Sequence, residues 1–247
     1  AEIGFDADVP IYDPKTPEED KRRFHYADIF WKERRRKGIS LLDAQKWMRE
    51  RNYFAAMMVH EGEADALVTG YSRSYPSVVK PMLQLIGKAP GISIVASTNM
   101  MMTNRGPIFF SDTAINPNPT ADDIAKIAIM TANTVKLFGL EPVMAMVSFS
   151  NFGSSNHDSA VKLREAVAYL HKYYPDLIVD GEIQADFALN PEMLKAKFPF
   201  SKLAGKKVNT LIFPNLEAAN VNYKLLKELY KVESVGPIML GMDKPVH

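Results

Sequence analysis

The stretch VMAMVSFSNFGSSNHDSAVKLREAV, Val143 to Val167, decides how the rest of the chain is read. An apolar run over residues 143–149 passes into Ser150, Asn151, Gly153, Ser154, Ser155 and Asn156, and a helical pattern follows over residues 158–174. A strand buried on both faces shows just such a continuous apolar run, and strand followed by helix is the repeating unit of a parallel sheet. The small polar residues between them have two readings. They cap the helix, as Ser, Asn and Asp do generally. Or they form an anion pocket, because free N–H groups and the positive dipole end of a helix favour negative charge, and Gly153 lets the backbone approach a ligand. Taken alone, the loop leaves both readings open.

Working outward, the same alternation repeats. Strands are expected at 92–98, 107–112, 143–149, 177–181, 209–213 and 235–240, and helices at 120–139, 158–174 and 220–232. The first two strands can pair antiparallel across the turn-like Asn104-Arg105-Gly106. Thr120 caps a helix whose Ile124, Ile127, Ala128, Thr131 and Val135 share one face. Residues 190–207 interrupt the pattern as a long, basic, Pro-containing connection. The sum is an α/β fold with mainly parallel strands. Ligands of such sheets collect beyond the carboxyl ends of the strands. There the chain places Ser111-Asp112 with Asn116, then Ser150 to Ser155, Asp180-Gly181-Glu182, Pro214-Asn215 and Gly241 with Lys244.

The first ninety residues are mostly helical in pattern. Thr16, Pro17 and Glu19 signal a helix start with a capping box, Phe24, Ala27 and Trp31 an apolar stripe, and Gly38 its end. Ser40 with Asp43 opens a second helix, residues 52–62 and 76–88 supply two more, and residues 64–70 read as a strand. The run Arg34-Arg35-Arg36-Lys37 is a solvated helix end, since 30 Lys+Arg against 29 Asp+Glu give a net charge of only +1.

Composition narrows the chemistry. The 247 residues hold no cysteine, which excludes disulfides, thiolate metal sites and a cysteine nucleophile. The five histidines lack metal-ligand spacing, so no metal site is expected. Fingerprints for dinucleotides, for nucleoside triphosphates and for the hydrolase elbow are all missing. No apolar run reaches the roughly 20 residues of a membrane span. The expected setting is cytoplasmic, with neither nucleic acid nor membrane as partner.

The strand-end motifs FFSDTAINPNPT, AMVSFSNFGSS, DGEIQADFALNPE, LIFPNLEAANVNYKLL and GPIMLGMDKPVH resemble, in that order, the phosphotransacetylase (phosphate acetyl/butyryl transferase) family. The variants MMVHEG, SRSYP, TNRGPIFFSDTA, SFSNFGSS and KPVH most resemble the copy at the C-terminus of bacterial NADP-dependent malic enzymes. The resemblance implies two α/β lobes with a cleft between them, of the isocitrate/isopropylmalate dehydrogenase-like superfold. The expected first lobe is residues 1–90 plus 237–247, incomplete, and the second is residues 91–236, carrying the anion loop.

The resemblance also implies acetyl-CoA or coenzyme A and phosphate as ligands, and a homodimer or higher homo-oligomer. It places a phosphate and acyl-CoA site at Ser150, Asn151, Gly153, Ser154, Asp112, Asn116, Asp180, Lys80 and Lys244. Lys80 stands where the family carries Arg, which exchanges a bidentate fork for a point charge. Asp112→Ala is expected to damage the cleft more than the fold. The family's base and its Ser-Arg pair are expected beyond His247, so the chain reads as truncated at both ends. Three functions follow: an acetyl-CoA-responsive regulatory and oligomerisation domain of a malic enzyme, whose NADP and divalent metal would belong to a part not included, an active phosphate acetyltransferase, or a structural dimerisation module that keeps the fold without its ligands.

Overall fold

The computed structural model describes residues 9–70 and 73–247. They fall into two units, one running to Gly87 and adding Met242–Val246, the other comprising Lys88–Gly241 with His247. Residues 1–8 and Tyr71-Ser72, the latter including the first residue of the SRSYP motif, lie outside the described residues.

The first unit carries helices α1 (Asp20–Arg34), α2 (Leu41–Trp47), α3 (Arg51–His60) and α4 (Tyr75–Leu85). Its first helix starts later than the capping signals suggest. Pro17–Glu19 form a single 3-10 turn, and the Thr16 hydroxyl donates back to Asp13 O instead of capping. The buried face is also rotated, to Arg23, Tyr26, Ala27 and Phe30, while Phe24 is exposed. Polar tips explain this choice: the Tyr26 hydroxyl donates to Glu63 Oε1 and the Arg23 guanidinium to the carbonyls of Pro14 and Thr16, so both residues bury satisfied. The Ser40/Asp43 capping box is present. Phe30, Trp47 and Tyr53 pack together, with Trp47 and Tyr53 stacked at 5.3 Å. The strand expected at 64–70 reduces to one parallel bridge, Leu67 to Val246.

The second unit holds a six-stranded sheet of β1 (Ala96–Thr103), β2 (Gly106–Ser111), β3 (Val143–Val147), β4 (Ile178–Ile183), β5 (Thr210–Ile212) and β6 (Glu233–Leu240), in the order β4-β3-β5-β2-β1-β6. Strands β4, β3, β5 and β2 pair in parallel, and β1 runs against both its neighbours, β2 and β6. Five strands therefore point the same way, and β1 alone is reversed.

Side-chain alternation builds one core on each face. Met144, Met146, Val179 and Ile212 pack beneath α5 (Ala121–Leu137) and α6 (Asp158–Tyr173). Ala145, Val147, Leu211 and Phe110 pack on the other face with residues of α7 (Ala185–Ala188), α8 (Pro191–Lys197) and α9 (Leu216–Tyr230). That two-sided burial is why Val143–Val147 reads as unbroken apolar sequence.

Three boundaries differ from expectation. Strand β1 begins at Ala96 and absorbs Asn99–Thr103, because pairing with strands on both sides extends it. Helix α9 starts at Leu216, where Asn215 caps it by accepting the Ala218 N–H. The long basic connection contains α8, capped by Asn190 with Pro191 at its first position.

Candidate functional site

Because β2, β3, β4, β5 and β6 share one direction, their carboxyl ends meet at one edge of the second unit's sheet. Two polar clusters stand there. At the end of β2, Asp112 is buried. Its Oδ1 accepts the Ser97 N–H and hydroxyl and the N–H groups of Ala114 and Ile115. Its Oδ2 accepts the backbone and side-chain N–H of Asn116, whose amide also donates to Val95 O. This carboxylate is fully engaged in tying β1 to the turn after β2.

The second cluster is the loop after β3. Its amides from Ser150 to Ser155 all have acceptors within the protein. Ser150 N–H donates to Ser148 Oγ, Asn151 N–H to Ser154 Oγ, Phe152 N–H to Glu182 O and Gly153 N–H to Glu182 Oε1. Ser154 N–H donates to Asn151 O and Ser155 N–H to Ser150 Oγ. The loop's backbone donors are thus spent within the protein, and one of them, the Gly153 N–H, goes to an internal anion, the Glu182 carboxylate, which is fully buried.

Glu182 also takes the Ser150 hydroxyl at 2.7 Å on Oε1, while Oε2 has no hydrogen-bond partner among the described residues. The nearest cation to Oε2 is Arg164, with Nε 3.7 Å away. Arg164 comes from α6, and its Nη2 donates to Ser155 O. On the other side of the loop Asn151 and Gln184 bond each other.

The sequence-predicted residues therefore divide into groups. Ser150, Asn151, Gly153 and Ser154 are brought together, and so are Asp112 and Asn116. Asp180 lies within β4 and not beyond it. Its Oδ2 accepts the Ser201 hydroxyl and the Lys202 N–H, which anchors the connection after α8. Lys80 and Lys244 belong to the first unit. Lys244 Nζ donates to the carbonyls of Val59 and His60 and so closes the C-terminal end of α3. Lys80 is exposed, with Nζ 5.2 Å from the Trp47 ring centroid, at a cavity of about 240 Å³ that Arg73, Asn52 and Tyr53 also line.

The sequence places Glu182 and Gln184 at or beside a strand end but gives them no binding role, and it leaves Arg164 unassigned. The available signal was Glu182 itself, a charge inside a strand, since such residues bury only with partners. Nearby, Lys162 of α6 donates to Asn118 Oδ1 and Pro119 O, and burial among these neutral acceptors lowers its pKa. No group of His, Asp or Glu residues with metal-ligand geometry occurs among the described residues. No helix among them is long and apolar enough to cross a membrane.

A mostly parallel α/β sheet with its polar loops gathered at one carboxyl edge defines an α/β protein of the kind that holds ligands at that edge. Comparison with known proteins narrows the class. A family profile described as "Phosphate acetyl/butaryl transferase" matches residues 2–247, and the chain belongs to that family.

Among its relatives is a phosphate acetyltransferase of Thermoanaerobacterium thermosaccharolyticum, 41% identical over 245 residues that cover 96% of this chain and 73% of that protein. Among solved structures, a phosphotransacetylase from Streptococcus pyogenes matches with a TM-score of 0.83 and 38% identity over 99% of this chain and 74% of the other. The EutD phosphotransacetylase from Staphylococcus aureus matches with a TM-score of 0.82 and 34% identity, over 100% and 74%. These relatives favour the acetyltransferase reading. None of them links the chain to a malic enzyme.

Proposed function

We propose that the chain is a phosphate acyltransferase that moves an acetyl group between coenzyme A and phosphate. The observation that carries this reading is the 41% identity, across nearly the whole chain, to a protein named phosphate acetyltransferase. In the synthetic direction a phosphate oxygen attacks the thioester carbonyl, the C–S bond breaks and the thiol leaves with a proton. The phosphoryl group is assigned a place against the loop of Ser150, Asn151, Gly153 and Ser154. Lys80, whose ammonium is exposed, suits a phosphate of the substrate, with Lys in the place of Arg. Asp112, Asn116, Asp180 and Lys244 are assigned to holding the framework, because their polar groups tie one backbone segment to another.

A homo-oligomer in the cytoplasm is part of the same reading. It is supported by an exposed apolar stripe on α9, Val221, Leu225 and Leu229, spaced four residues apart. Light scattering on the purified chain tests the assembly.

The activity is tested by mixing the chain with acetyl phosphate and coenzyme A and following the thioester. Steady acetyl-CoA formation that is abolished by omitting the protein supports the assignment. Its absence at high protein concentration would overturn it.

A further inference from the structure

The Ser150 loop has no spare backbone donors between Ser150 and Ser155, so whatever recognises an anion there must be a side chain. Proton counting removes the nearest hydroxyls. Ser150 has one proton, and it goes to Glu182 Oε1. In the 3.0 Å contact between Ser150 and Ser154, Ser154 must then be the donor. The two hydroxyls form a relay that ends on the Glu182 carboxylate, and neither keeps a proton for a ligand in this arrangement.

Arg164 is different. Its Nε faces Glu182 Oε2 at 3.7 Å, too long for a hydrogen bond but close enough for attraction. Nη2 is held by Ser155 O at 3.0 Å, and also reaches Asn156 Oδ1 at 3.5 Å. Nη1 has no partner among the described residues. It lies 3.0 Å from the place where a Cβ on Gly153 would sit, on an exposed part of the loop. An anion approaching Glu182 directly would meet like charge, whereas the Gly153 face presents a guanidinium edge and no side chain. Oε2, buried and without a hydrogen bond, supplies the field that keeps the guanidinium in place without consuming its outer donors.

We propose that Arg164 is the residue that binds the phosphoryl oxygens at this loop, and that Glu182 is the positioning residue that aims it across Gly153. This rests on the phosphate acyltransferase reading for its substrate, and it adds two residues that the sequence motifs did not assign to binding.

The test is steady-state kinetics with acetyl phosphate and coenzyme A varied separately. Arg164→Ala is expected to raise KM for acetyl phosphate about tenfold or more, the size of one lost charge-assisted hydrogen bond, with KM for coenzyme A nearly unchanged. Arg164→Lys should recover part of the loss. Glu182→Gln keeps an acceptor for Ser150 and Gly153 but removes the charge, so it should raise the same KM. The double variant should be no worse than Arg164→Ala alone, because the pair acts as a unit. An unchanged KM for acetyl phosphate in folded Arg164→Ala, or equal rises for both substrates, would overturn the proposal.

Calorimetric titration of inorganic phosphate into the wild type and Arg164→Ala separates this inference from the function it rests on. Binding that depends on Arg164 without any turnover would uphold the site and remove the acyltransferase reading. Absent binding, or equal binding to both proteins, would remove the site.

Discussion

Asn151 and Gln184 clasp each other with two hydrogen bonds, Asn151 Nδ2–H to Gln184 Oε1 at 2.7 Å and Gln184 N–H to Asn151 Oδ1 at 2.8 Å. Gln184 follows β4 and Asn151 follows β3, so the pair ties the ends of adjacent strands. Gln184 Nε2 extends the tie to Phe149 O. Removing Asn151 leaves the Gln184 N–H without its acceptor. Asn151→Ala should cost about 1–2 kcal/mol. Hydrogen exchange at the Gln184 amide should quicken by a matching factor, and unchanged exchange would show that the clasp holds nothing.

Asp112 is predicted to be a framework residue. Asp112→Ala strands the N–H group of Ser97 in the buried part of β1 and those of Ala114, Ile115 and Asn116 in a half-buried turn. The expected loss of stability is at least about 3 kcal/mol, read as a lower urea midpoint with an unchanged slope. This reverses the expectation drawn from its motif, that the cleft would suffer before the fold. A variant of wild-type stability would restore that expectation.

The fold was legible wherever local pattern and tertiary burial agree. Ile124, Ile127, Ala128, Thr131 and Val135 mark the buried face of α5 in sequence and in structure alike. Pattern misled where polar side chains bury with partners. Tyr26 and Arg23 join Ala27 on the inner face of α1, against which Trp31 packs partly buried, while Phe24 is exposed; their polar atoms find acceptors in sequence-distant or non-helical segments. The site was half legible for the same reason. Ser150 to Ser154 announce a loop for oxygen chemistry. The acid inside that loop arrives from β4, thirty-odd residues on, and its cation from the second turn of α6. Spacing along the chain carries no trace of either contact.

Glycine at 181 is required by space as well as by conformation. Its φ is +140°, and an added Cβ would sit 2.7 Å from Met146 O, a backbone atom that cannot turn aside. Gly139, at φ +73° with nothing within 4 Å of such a Cβ, is the control. Gly139→Ala should cost roughly 1–2 kcal/mol of left-handed strain. Gly181→Ala should cost clearly more, since β4 must move away from β3. Equal thermal midpoints for the two variants would contradict the close approach of the strands.

Burial lowers the pKa of His247 below its ordinary 6.5. Its Nδ1 accepts the Met239 N–H at 3.2 Å, which only an unprotonated nitrogen can do. In the window between the lowered folded value and 6.5 the unfolded chain binds more protons, so this contribution is complete above 6.5 and is lost as pH falls. Thermal midpoints of wild type and His247→Asn should therefore converge on acidification from about pH 8 to about pH 5.5. Parallel curves would show that the imidazole is not held neutral.

A crystal of the chain soaked in phosphate addresses the central claim, that the loop after β3 is the phosphoryl site. The account predicts tetrahedral density on the Gly153 face, within hydrogen-bond reach of Arg164 Nη1, with the Glu182 carboxylate still bonded to Ser150 and Gly153. Phosphate bound elsewhere with that face bare, or Glu182 expelled and replaced by the anion, would contradict it.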